Sequence, residues 1–203
     1  MSYGLPHTTE VNRALHKKVL YAKFNMKSSA KDHFDADVSR LVISNEISAQ
    51  SVPALAAGNV TSIYVLSVLL KRKDFDKKNI ELLTKLIPQR MVIALQMEEE
   101  TKFAIFNEKL FFGDWQPTET ATIPLSGLTL DAVWQSLVTT IGGFEIEEGN
   151  TLKEQIVVNE AHDKLLKQIA ALENKMRKEK QPRRKLELHE QIIRLKSNLC
   201  QEN

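Results

Sequence analysis

A chain of 203 residues with 42% hydrophobic and 27% charged residues is too apolar for intrinsic disorder and long enough to bury a sizeable core, which reads as one domain plus an appendage. Its single cysteine, Cys200, excludes an intrachain disulfide and a four-thiolate zinc site, and suits a reducing compartment. The net charge of +2 is unevenly spread: residues 151–203 hold 12 of the 28 Lys/Arg and 8 of the 26 Asp/Glu, which leaves 16 basic against 18 acidic residues in a faintly acidic body, residues 1–150.

Met1-Ser2-Tyr3-Gly4-Leu5-Pro6 lacks the basic-then-apolar design of a secretory leader. The longest apolar run, Ile63 to Leu70 interrupted by Ser67, falls far short of the roughly 20 residues that cross a bilayer. A cytoplasmic protein is expected. Residues 1–25 read as an irregular arm leading into a short helix, with Thr8 and Thr9 as caps. A helix follows over Ser28 to Val38, and Leu41, Ile43 and Ile47 mark a first strand. After a loop at Pro53 and Ala57-Gly58-Asn59, Val60 to Leu70 reads as a central strand buried on both faces. Asp76 caps a helix running to Leu86, and Pro88 ends it. Three strands come next, Met91–Met97, Thr101–Phe106 and Leu110–Trp115, turning at Glu98-Glu99-Glu100 and at Asn107-Glu108. Asp131 starts a helix to about Ile141 with Val133, Trp134 and Leu137 inward, and Gly142-Gly143 stops it. The sum is an α+β body: a mostly antiparallel sheet of about five strands with flanking helices.

The tail carries the sharpest periodicity. Leu165, Ile169, Leu172 and Met176 are spaced 4, 3, 4, and so are Leu188, Ile192, Leu195 and Leu199, the seam of a coiled coil. Reversing the chain near Pro182 pairs Met176 with Leu188, Leu172 with Ile192, Ile169 with Leu195 and Leu165 with Leu199. One fold-back point satisfies all four layers, and proline is well placed in the first turn of a second helix. Residues 151–203 are therefore expected to form an antiparallel helical hairpin. Leu152, Ile156 and Val157 would meet the body, and Leu186, Ile193 and Cys200 form a second stripe read as packing. The alternative is two helices that each pair with another chain.

No phosphate-cradling glycine loop and no nucleophile elbow is present. The five histidines are not at metal-ligand spacing. Asp32-His33-Phe34-Asp35-Ala36-Asp37 is the one cluster with ligand chemistry, and it is read as a solvated helix face in preference to a metal site. Restriction-type nucleases need a carboxylate on a central strand and Asp/Glu-x-Lys beside it, and Ile63–Leu70 has no carboxylate. No catalytic set, metal or cofactor is assigned. The strongest binding signal is the hairpin tip, where Lys175, Arg177, Lys178, Lys180, Arg183, Arg184 and Lys185 place seven cations in eleven residues against Glu179 alone. Such a tip suits phosphates, or an acidic protein surface; without an interleaved aromatic it would give affinity and little sequence reading.

The chain resembles a bacterial family of unknown function, domain-of-unknown-function family 4391, nearly end to end. The resemblance rests on Gly4-Leu5-Pro6, Thr9, Val11-Asn12, Lys17-Lys18, Ala57-Gly58, Leu86-Ile87-Pro88, Asp114-Trp115, the run Leu125-x-Gly127-Leu128-x-Leu130-Asp131-x-Val133, and Lys178-Glu179-Lys180-Gln181 with Arg184-Lys185-x-Glu187-Leu188. His16 departs from it, standing where the family tends to have proline. The resemblance implies no catalytic residues. It implies a setting beside helicases and DNA methyltransferases in bacterial mobile or defence gene clusters. Together these features lead to a non-enzymatic accessory protein, docked on a helicase- or methyltransferase-type partner, whose basic tip meets nucleic acid or an acidic surface. The alternatives are a divergent metal-dependent nuclease-like enzyme using Glu46, Asp32 or Asp35, and a self-assembling structural protein.

Overall fold

A computed structural model describes residues 3–201, with side chains placed through residue 197. Two compact units emerge, Met1–Glu145 and Ile146–Asn203.

In the first unit the described residues form strands β1 (Glu10–Leu15), β2 (Val38–Ser48), β3 (Ser62–Leu70), β4 (Arg90–Met97), β5 (Glu100–Asn107) and β6 (Lys109–Pro117), with helices α1 (Lys17–Lys23), α2 (Ser28–Asp37), α3 (Lys77–Thr84) and α4 (Leu130–Gly142). The six strands make one sheet in chain order, antiparallel throughout except that β3 and β4 run parallel. That exception follows from α3, since a parallel neighbour needs a crossover connection. The strand count is six, and the addition is β1, within the segment expected to be an irregular arm. Nearly all of β1 is exposed, and its register slips at Asn12, where φ is +49°. Asparagine is one of the few residues that tolerates this conformation. His16, between β1 and α1, has φ −73°, within the range a proline would impose, so the backbone at this position would accept proline.

Alternation puts Leu66 and Val68 of β3 and Ile93 and Leu95 of β4 on one face of the sheet, in one core with Leu20 of α1, Phe34 of α2, and Ile80 and Leu83 of α3. The other face meets α4, whose Val133, Trp134 and Leu137 are buried. β3 is less buried than expected: burial on both faces holds only around Val65 and Leu66, Ser62 and Tyr64 are half-buried, and toward its C-terminal end Ser67 is half-buried and Leu69 is exposed. Tyr3 closes that end. Its hydroxyl hydrogen-bonds Ser67 Oγ (2.8 Å) and accepts from Gln96 (2.8 Å), its ring sits edge-on to Phe103, and burial pushes its pKa up.

Caps fall where local chemistry places them. Asp76 accepts from the Lys78 amide (2.9 Å), Thr129 from Ala132 (3.2 Å), and Gly143 leaves α4 at φ +67°. Glu100 already belongs to β5, so that turn is Glu98-Glu99, and Asn107 pairs with Lys109 across Glu108.

The second unit is α5 (Leu152–Lys178) and α6 (Pro182–Gln201), joined by three residues and packed on each other. Thr151 and Glu154 form a reciprocal capping box at the start of α5. Ile169 and Ile192 are buried, and Leu165, Leu172, Met176, Leu188 and Leu195 are half-buried. Glu173 and Lys196, each one residue past a seam leucine, meet at 2.9 Å and tie the two helices together. The Leu199 and Cys200 side chains lie outside the described residues. Leu186 and Ile193 are 59% and 51% exposed, so this second stripe is not packing as expected; Val157 is exposed too, while Ile156 is buried. Every Phe, Tyr and Trp of the protein lies in the first unit. No described helix is long and apolar enough to cross a membrane.

Candidate binding site at the hairpin turn

The reversal itself is Glu179-Lys180-Gln181. The Lys185 amide bonds the Gln181 carbonyl (3.0 Å), so Pro182 is the first residue of α6, where its missing N–H leaves no bond unmade. Glu179 locks the turn: its carboxylate accepts from the Gln181 amide (2.9 Å) and the Lys180 amide (2.8 Å). Those two bonds, the Gln181 amide foremost, and the nearby Arg184 guanidinium hold its pKa below the ordinary value.

All seven predicted cations are exposed at this end of the hairpin. Lys175, Arg177 and Lys178 lie in the last turn of α5, where the helix dipole favours positive charge. Pro182 is followed directly by Arg183, Arg184 and Lys185, and the first turn of α6 contains no acid. Cations there oppose the dipole, at a cost of a few tenths of a kcal/mol each. Lys175, Lys178 and Arg184 line an open cleft of about 430 Å³ together with Glu179, Glu187, Leu188 and Gln191. Glu187, named above only for the family resemblance, and Gln191, not singled out in the sequence, enter through the fold-back that sets α6 against the end of α5. Arg183 stays 93% exposed and has only a loose contact with Glu187 (3.6 Å).

The acidic candidates of the first unit do not gather. Asp35 accepts from Lys17 Nζ (2.6 Å) and the Tyr21 hydroxyl (2.6 Å). Asp37 is taken up by Arg72, Asn79 and the Asp76 amide, Glu46 accepts from the Tyr64 hydroxyl (2.9 Å), and Asp32 and His33 lie on the exposed side of α2. Among the described residues no three His, Cys, Asp or Glu side chains are close enough to share a metal ion.

A family model described as "Domain of unknown function (DUF4391)" matches residues 3–199. The chain belongs to the DUF4391 family. Comparison with curated proteins and with solved structures returned no match. Several residues that carry the DUF4391 resemblance meet at joints of the first unit. The Ala56 amide bonds the Leu128 carbonyl (3.0 Å), the Leu130 amide bonds the Ala56 carbonyl (2.9 Å), and Asp131 accepts from the Val60 amide (3.3 Å). A Cβ on Gly58 would lie 2.0 Å from the Asp131 carboxylate, so only glycine admits this approach. Lys17 donates to the Val38 carbonyl as well as to Asp35, and Lys23 donates to the Leu86 carbonyl. In this DUF4391 chain these positions have evident architectural work.

Proposed function

We propose that this protein is a non-enzymatic accessory subunit that engages the phosphate backbone of nucleic acid through its hairpin turn, as part of a bacterial helicase- or methyltransferase-type DNA-processing or defence machine. The observation that carries the reading is the cation placement on α6. The basic end of α5 is what helix electrostatics favours, but Arg183, Arg184 and Lys185 stand against the dipole of α6, with Glu187 held loosely by Arg183 and Glu179 near Arg184 as the acidic neighbours among the described residues. Charge kept at an electrostatic disadvantage in the free protein is relieved when it pairs with phosphates, whose condensed counterions are then released to solution. The contacts would be to backbone and not to base edges, so binding would be tight at low salt and nearly blind to sequence. A helicase- or methyltransferase-type partner would then supply sequence choice and chemistry.

Reversing Arg183→Glu and Arg184→Glu tests this directly. Affinity for a labelled DNA duplex should fall at least about tenfold, and the slope of log affinity against log salt should shrink by about two. The helix signal should be unchanged, because neither side chain is buried. Unaltered duplex binding, or none by the native protein, removes the tip as a nucleic-acid site. Capture of an acidic protein that survives nuclease treatment but not the reversal would reassign the tip to a protein surface.

A further inference from the structure

The sheet face that α1, α2 and α3 cover continues over β5 and β6, where its character changes. Lys102 of β5 lies opposite Trp115 of β6 and Ala104 lies opposite Phe112, with the register slipping between them. The slip, a bulge at Gly113-Asp114, brings Phe112 and Trp115 to the same face although they are three residues apart. Phe75, from the β3–α3 loop, joins them at 6.0 Å from the Phe112 ring. All three rings are half-buried and pack against the core. Lysines stand over two of them. Lys73 lies 5.7 Å from the Trp115 ring, Lys77 lies 5.5 Å from Phe112, and Lys102 reaches both, at 5.8 and 5.9 Å. Among the described residues Glu100 is the one carboxylate ion-paired with any of these lysines, through Lys73.

We infer that this patch is a binding site for single-stranded nucleic acid, separate from the hairpin turn. Lysines on flexible four-carbon stems can leave the rings for flanking phosphates, which frees the half-buried aromatic faces on the sheet to stack with unpaired bases. In duplexes the bases are already stacked and their faces closed, so the patch selects single strands. A protein partner fits less well: protein interfaces are depleted in lysine at their centres and favour arginine, and here the lysines lie directly on the rings. The inference goes beyond the hairpin reading and does not depend on it.

The test uses the full chain carrying Arg183→Glu and Arg184→Glu, which removes the contribution of the turn. A labelled thymidine 20-mer and a duplex of equal length are titrated by anisotropy. The single strand should bind and the duplex should bind at least about tenfold more weakly. Two further variants are added separately: Trp115→Ala, and Lys73→Gln with Lys77→Gln, which takes two exposed charges without setting an acid beside Glu100. Each should weaken single-strand binding about tenfold. If Trp115→Ala fails to fold, the lysine pair decides alone. Absence of single-strand binding, equal binding of the duplex, or unchanged affinity in a folded variant overturns the inference. Because the tip is judged on duplex binding in the otherwise native chain, either site can fail while the other stands.

Discussion

Asp37 ends α2 with its side chain fully buried, and its carboxylate collects donors from a distant stretch of chain. Arg72 (2.5 Å), the Asn79 amide (2.7 Å) and the Asp76 backbone N–H (2.9 Å) all converge on it, while its own carbonyl accepts from the Lys71 amide. Burial alone would raise its pKa, but the Asp76 amide, Asn79 and Arg72 outweigh it and hold the carboxyl below the ordinary range. A depressed folded-state pKa means a stabilisation that is complete above the unfolded carboxylate value of about 4 and is lost as pH falls through the folded value. Asp37→Ala should cost about 3 kcal/mol in urea unfolding at neutral pH, since it strands buried donors. It should also flatten the fall in stability between about pH 5 and 2; an unchanged acid limb would mean other carboxylates carry it. The sequence places Asp37 in an acidic run that reads as a solvated helix face, with metal binding as the lesser reading. Only the partners, 35 to 42 residues away, separate its role from that of exposed Asp32.

At the scale of elements, the seam of α5 and α6 was legible because its period is local and its mirror spacing is global. Every described seam position is half-buried or buried, and Ile169 and Ile192 are the deepest, at 6% and 3% exposure. Ile169→Ala or Ile192→Ala should therefore destabilise the hairpin by about 2–4 kcal/mol, seen as faster amide exchange across both helices. Leu186→Ala and Ile193→Ala, on the exposed stripe, should stay within about 0.5 kcal/mol, and a larger loss would show that the stripe is covered in solution. β1 was illegible for the opposite reason. It buries almost nothing, so it carries no alternating pattern, and its bulge at Asn12 breaks what alternation there is. The aromatic patch was hidden in the same way. A strict period of two sets Phe112 and Trp115 on opposite faces, and only the slip in register unites them.

At the scale of the whole molecule, the two units differ in what holds them. The first is organised by long-range sheet pairing and by polar joints such as those at Gly58 and Asp131; the second is organised by one apolar seam and a locked turn. The basic tip was legible because all seven cations fall within one short stretch. The cleft beneath Lys175, Lys178 and Arg184 required the second helix to return, which added Glu187 and Gln191. The confinement of all aromatic residues to the first unit makes the second optically silent in the near ultraviolet. Trp115, half-exposed, and Trp134, buried and donating to Asn107 (3.1 Å), give the protein its emission, while α5 and α6 add their weight only to the far-ultraviolet helix band. A single sample heated under both detectors thus carries an internal control. Emission that shifts when only α5 or α6 has been altered would register a disturbance transmitted from one unit into the other.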